Sequence, residues 1–381
     1  MFRPFLNEPT RGADAPRVDL PGVDVVRFVA VAAVLYSHIA FYLIDDLGTG
    51  WWGIDLTYEV LVKGAGLNQH LSSVGVTAFM MLTGMLVTRS AIRQDRRKFL
   101  IARAARLLPA FWVAILAAVV LVWLGINGTF SGHTTVSVSE AFLSFFLGAF
   151  FLKPQVIVLG VVWTLAAQIS FYLWCVAGRS LLRTAPVAVP MLGAVLCMLV
   201  LLYNLYVPEP YTVPFLSKIA STLPTLFLGQ IVYFGWAGLI SLRALLAAMF
   251  AQIAVIVMAT DINVYWSGSR YLWTVSVVFA AVVLVARYDG RLARSAVVSW
   301  VATRSYCIYL THTLVMYRIY ENTVGLVGTT AAIVLLLIGC GLVAEVLYRS
   351  VEVPAAHWIK SRWLAPKQVA SDERTAAPTR A

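Results

Sequence analysis

Charge is what this sequence has least of. Only 12% of its 381 residues are Asp, Glu, Lys or Arg, against about 25% in soluble globular domains. That is too little polar surface to keep a chain of this length in water as a soluble fold. Cysteine is sparse too: Cys175, Cys197, Cys307 and Cys340 each sit in an apolar run, and none form a CxxC pair. This excludes a disulfide scaffold, and the four read as small buried hydrophobes. The five histidines lie far apart, so no local zinc motif exists and no metal is expected. No internal repeat stands out, which counts against transporter folds built from symmetric halves. No nucleic-acid-binding signature accompanies the net charge of +11. That excess is read instead as the Lys and Arg enrichment of cytoplasmic membrane loops.

What is present is apolar: 60% of residues are hydrophobic and the mean hydropathy is +0.82. Runs near 20 residues recur, enough to cross a ~30 Å hydrocarbon core. The sequence predicts an all-α, polytopic membrane protein with about ten transmembrane helices. They fall near 23–44, 72–91, 106–126, 161–183, 187–206, 219–238, 241–260, 270–287, 297–320 and 328–350. The segment 140–153 is apolar but short, so it is expected to be interfacial or re-entrant rather than spanning. The link between spans two and three holds Arg89, Arg93, Arg96, Arg97, Lys98, Arg103 and Arg106. That places it in the cytoplasm, and with ten spans both termini follow. Residues 1–22, rich in charge and proline, do not resemble a cleaved signal peptide and are expected to form a cytoplasmic segment. The membrane domain is expected over 23–355, followed by a largely disordered cytoplasmic tail over 356–381.

Ionisable residues inside a membrane are expensive and therefore mark candidate sites. In VDVVRFVAVAAVLYSHIAFY, Arg27 and His38 are eleven residues apart. That is three turns plus ~20°, so they share a face ~16 Å apart along the axis. Snorkelling of Arg27 and a buried polar contact for His38 would explain the same pair, and Asp24 could pair with Arg27. The second span, GVTAFMMLTGML, is small-residue-rich, which suits close helix packing. In RAARLLPAFW, Arg103 and Arg106 share a face at the expected start of span three, with Pro109 near its first turn. Two guanidiniums there suit phosphates. Span four, WTLAAQISFY, holds Gln168 and Tyr172 one turn apart. In SYCIYLTH, Ser305, Tyr309 and His312 fall within ~60° of one another, as interhelical glue or as a cavity wall. Glu345, Arg349 and Glu352, at i, i+4 and i+7, predict an ion-pair ladder.

Taken in order, these segments resemble the acyltransferase 3 family of integral membrane O-acyltransferases. The resemblance runs over about residues 20–355. Arg27 and His38 fit the family's Arg, ten residues, His pattern, and RAARLLPAFW resembles its Arg-x-x-Arg signature. WTLAAQISFY, SYCIYLTH and LYRSVEVPA fit its later signatures. One position departs: Gln168 stands where many members have glutamate. The resemblance implies transfer of an acyl group, acetyl in the usual case, from cytoplasmic acyl-CoA to a hydroxyl of a carbohydrate, glycolipid or other small acceptor. Acyl-CoA would be a co-substrate, with no tightly bound cofactor. Within that scheme Arg103 and Arg106, with Arg27 nearby, would bind the coenzyme, and Arg27 and His38 would be the catalytic residues, His38 as the general base. Gln168, Tyr172, Ser305, Tyr309 and His312 are candidates for substrate or oxyanion contacts. The expected location is the plasma membrane, in contact with lipid. The competing readings are a transporter or flippase using the same polar seam, and an inactive homologue.

Overall fold

The computed structural model describes residues 18–265 and 270–364. Residues 1–17 and 365–381 of the expected terminal segments lie outside the described residues. The described residues form fourteen α-helices and no strand. They are α1 Val23–Phe41, α2 Trp52–Thr57, α3 Val74–Arg93, α4 Arg96–Trp123, α5 Val138–Ser144, α6 Trp163–Ala177 and α7 Arg179–Thr184. There follow α8 Ala188–Tyr206, α9 Leu216–Trp236, α10 Leu242–Asp261, α11 Tyr271–Val285, α12 Ala296–Val327, α13 Thr329–Leu347 and α14 Val353–Leu364. All ten expected long helices are present among them. Eight spans are long and apolar enough to cross a membrane. The other two differ for opposite reasons. α11 is apolar but only 15 residues, about 22 Å. α12 has 32 residues, but Arg304, His312, Arg318 and Glu321 interrupt it. The chain is a multi-pass, all-α membrane protein. α5, seven residues long, spans about 10 Å and cannot cross.

α9 is the central post. It packs against α3, α6, α8, α10 and α11, and buried residues run along it from Ile219 to Gly235. Glycine makes the closest of these approaches possible. A Cβ on Gly84 would stand 1.9 Å from the Leu226 carbonyl oxygen, and one on Gly229 would stand 2.0 Å from that of Met81. Gly75 similarly admits the backbone of α1 at Ala30. The small residues of the second span are thus packing residues. Buried amides add polar joints: Gln230 Nε2 donates to Thr88 Oγ1 at 3.1 Å, and Gln252 Nε2 to the Pro190 carbonyl at 2.8 Å. The four cysteines are free and buried, as expected of small hydrophobes.

The basic links gather at one end of the bundle, where several arginines cap helices. Arg183 donates from Nε and Nη2 to the Ile92 carbonyl at 2.9 and 2.7 Å, and Arg179 Nε to that of Gln94 at 2.9 Å. These close the C-terminus of α3 with positive charge, where the helix dipole favours it. Asp95 then caps α4 by accepting from the Lys98 backbone N–H at 2.8 Å.

Four sequence expectations change here. The third span begins at Arg96 rather than 106, because the Asp95 cap nucleates the helix ten residues earlier. Pro109 therefore lies inside α4, not in its first turn. The fourth span stops at Ala177, and a break at Gly178 starts the separate helix α7. The final helix passes 355: a π turn, Tyr348–Glu352, joins α13 to α14, which runs to Leu364. That turn widens the helical repeat, so Glu352 leaves the face of Glu345. Glu345 pairs with Arg304 and Arg349, whereas Glu352 turns inward and accepts from Cys307 Sγ at 3.0 Å.

Candidate functional site

One cavity collects seven of the nine residues singled out in the sequence: Arg27, Arg103, Arg106, Gln168, Tyr172, Ser305 and Tyr309. α1, α3, α4, α6 and α12 build it, and its volume is about 110 Å³. Arg103 and Arg106 reach it because α4 packs against α3 and α12. Arg103 lies seven residues into the helix, about 10 Å along the axis, on a cavity wall rather than at the membrane edge. Its Nη2 donates to Ser90 Oγ at 2.8 Å, while its buried Nε–H has no hydrogen-bond partner among the described residues. Arg27 Nη1 lies 3.7 Å from Asp24 Oδ1, the pairing the sequence predicts. No carboxylate lines the cavity, and Gln168 occupies the position where one was expected. Its Oε1 accepts from Tyr172 at 3.3 Å. Three arginines lining a small space without a carboxylate among its lining residues form an arrangement able to hold an anion.

The remaining two, His38 and His312, meet beyond the cavity. Their ring centroids are 4.8 Å apart in an edge-to-face arrangement. His312 is fully buried. Its Nδ1 lies 3.1 Å from the Ile308 carbonyl and 2.9 Å from that of Tyr309. Carbonyls only accept, so Nδ1 carries the proton and Nε2 presents a bare lone pair. That Nε2 is buried and has no hydrogen-bond partner among the described residues. His38 Nδ1 lies 3.2 Å from the Tyr317 hydroxyl. Tyr309 stands between the two regions. It lines the cavity, its ring centroid is 6.0 Å from that of His312, and Phe79 packs on it at 6.1 Å.

The hydroxyl-bearing candidates are not equivalent. Tyr309 donates its one proton to the Val161 carbonyl at 3.0 Å and accepts from Thr164 at 2.9 Å. It pins α12 to the turn before α6. Ser305 is buried and faces the cavity, and its hydroxyl makes no hydrogen bond among the described residues.

Beyond the histidine pair a braced cluster continues toward the end of the bundle away from the basic links. Tyr42 packs on Tyr317 with ring centroids 4.6 Å apart and donates to Glu321 Oε1 at 2.6 Å. Arg318 donates to Glu321 at 2.6 Å and to Asn127 at 3.0 Å. Sequence reasoning missed these residues. Tyr42 could have been found, because it lies one turn after His38, at the start of the π turn that follows α1. Tyr317 could not, because five residues from His312 on a helix is a different face.

Residues 20–348 match the family described as an acyltransferase domain. The chain belongs to the acyltransferase 3 family. A stretch of 171 residues is 30% identical to Nodulation protein 10 of Rhizobium leguminosarum bv. viciae, covering 39% of this chain and 41% of that protein. The chain thus spans less than half the length of the curated relative it matches. No solved structure matches it. The motifs that carry the family resemblance converge here on the arginine cavity and the histidine pair.

Proposed function

We propose that the protein is a membrane O-acyltransferase. It takes an acyl group, acetyl in the first instance, from cytoplasmic acyl-CoA. It passes that group to a hydroxyl of a carbohydrate, glycolipid or other small acceptor at the plasma membrane. The observation that carries this reading is the convergence of Arg27, Arg103 and Arg106 on one cavity just short of the His38–His312 pair. Phosphate charge is held at the arginines. At about 110 Å³ the cavity takes a slim chain rather than a whole drug-sized ligand, for which ~300–1,000 Å³ is usual. The pantetheine arm has that shape, and movement of the Tyr309 ring would admit its thioester to the histidines.

His38 removes the proton of the acceptor hydroxyl as the oxygen attacks the thioester carbonyl. A C–O bond forms, the C–S bond breaks, and the imidazolium returns the proton to the departing thiolate. His312, held as an acceptor at Nε2, stabilises the charged His38 from the position of a carboxylate. This accounts for a working site with Gln168 in place of glutamate. Nε2 of that tautomer cannot donate, Tyr309 has spent its proton, and Ser305 lies seven residues from His312 on α12, about 10 Å along the axis, so its hydroxyl serves the cavity on the other side of Tyr309 rather than the oxyanion.

The test is purified protein in vesicles supplied with labelled acetyl-CoA and cell-envelope glycan or lipid extracts, read by mass spectrometry. We expect a gain of one acetyl increment on an acceptor, lost in His38→Ala while the protein remains folded in detergent. Full activity in that variant defeats the assignment of the base. Acyl-independent movement of a substrate across the vesicle membrane, with no acyl transfer, would establish a flippase instead.

A further inference from the structure

A second hollow lies outside the arginine cavity. A groove of about 560 Å³ lies at the basic end, between Arg106, the π turn at Tyr348 and Glu352, and one face of α14. Its volume sits within the ~300–1,000 Å³ of small-molecule sites, and it is five times the inner cavity. Arg106 lines both spaces, so the two lie on either side of one residue. On α14 the groove is lined by Val353, Ala356, His357, Lys360 and Leu364. That spacing of three, four and seven residues is a single helical face. It offers an apolar floor with two cationic or ionisable tips. Trp358 and Trp363 lie off that face and are 64% and 55% exposed, which suits a helix resting at a membrane interface.

Acyl-CoA has two unlike parts: a thin pantetheine arm and a bulky adenosine carrying a diphosphate and a 3′-phosphate. The inner cavity has room for the first and not the second. The nucleotide must therefore sit outside Arg106, and the α14 groove is the space there. We propose that this groove is the seat of the adenosine 3′,5′-bisphosphate end of the donor, with Lys360 and Arg106 on its phosphates and the apolar α14 face under the base. Glu352, which also lines the groove, is engaged by Cys307. α14 is then a specificity element for the donor, in a stretch where the sequence suggested only a tail. The inference rests on acyl-CoA being the donor, and the following experiment separates the two.

Two surface variants are made in the full chain in vesicles: Lys360→Glu, and Ala356→Trp, which fills the groove. Neither touches the histidine pair, and Lys360 is exposed. Binding of adenosine 3′,5′-bisphosphate is measured directly, and acetyl transfer is measured from acetyl-CoA and from S-acetylpantetheine. Both variants should weaken bisphosphate binding and raise KM for acetyl-CoA about tenfold or more, Lys360→Glu by losing one charge-assisted contact and Ala356→Trp by occupying the groove. KM for S-acetylpantetheine and kcat should not move. Equal bisphosphate binding in wild type and both variants overturns the groove assignment, whatever the enzyme's activity. An equal rise in KM for both donors also overturns it, because the effect would not concern the nucleotide. Retained phosphatidylglycerol that falls in Lys360→Glu, with bisphosphate binding unchanged, assigns the groove to a lipid headgroup and likewise refutes the proposal. Absence of acetyl transfer from either donor in wild type would instead remove the donor reading itself.

Discussion

Tyr317→Phe isolates the contribution of one atom to the histidine pair. The substitution keeps the ring, which packs on Tyr42 with centroids 4.6 Å apart, and deletes only the hydroxyl 3.2 Å from His38 Nδ1. That distance is at the long end for a hydrogen bond, so its net worth lies in the ordinary range of about 0.5–1.5 kcal/mol. Lost from the transition state, this lowers kcat/KM by about 2- to 13-fold. Removing the base itself, in His38→Ala, should cost about 10²–10⁴-fold. Because Tyr317 acts through His38, the double variant should be no slower than His38→Ala alone. The assay is single-turnover acetyl transfer in vesicles, with thermal unfolding followed in parallel to confirm that the fold is unchanged. A Tyr317→Phe effect that persists at full size in the His38→Ala background refutes the positioning role. A loss above a hundredfold in the single variant also refutes it, by placing the hydroxyl on the reacting atoms.

Two further outcomes follow from the packing and the charge. Gly84→Ala must push the Leu226 carbonyl away from a Cβ built 1.9 Å from it. It should destabilise the detergent-solubilised protein by about 1–3 kcal/mol. Gly325→Ala on α12, where nothing lies within 4 Å, should be neutral or slightly stabilising in the same melting assay. Arg103→Gln deletes the buried Nε–H and the charge facing the cavity. It should raise KM for acetyl-CoA about tenfold with a much smaller change in kcat, and Arg103→Lys should not rescue it, since a point charge does not reproduce the planar fork.

The sequence by itself determined the class and the cast. Apolar runs of bilayer length and scarce charge dictate a helical membrane protein, because only satisfied backbone survives in lipid. All ten helices could be placed, since a twenty-residue apolar run has few other meanings. The nine candidate residues could be picked out because ionisable and polar groups stand out against such a background, and helical spacing showed which share a face. The Asp24–Arg27 pair was legible for the same reason. Spacing along one helix cannot show which face meets which. Only the tertiary structure brought α1 and α12 together, so that His38 found His312 and Tyr317 across 274 and 279 positions of chain. It also put Arg103 on a cavity wall rather than at the membrane edge, by packing α4 against α3 and α12. The π turn after Leu347 redirected Glu352 and carried the helix on into α14. These are contacts and register shifts of a few residues, set by packing between distant segments. The face shared by Arg27 and His38 was therefore written in the chain, while the partner that completes it was decided by the fold.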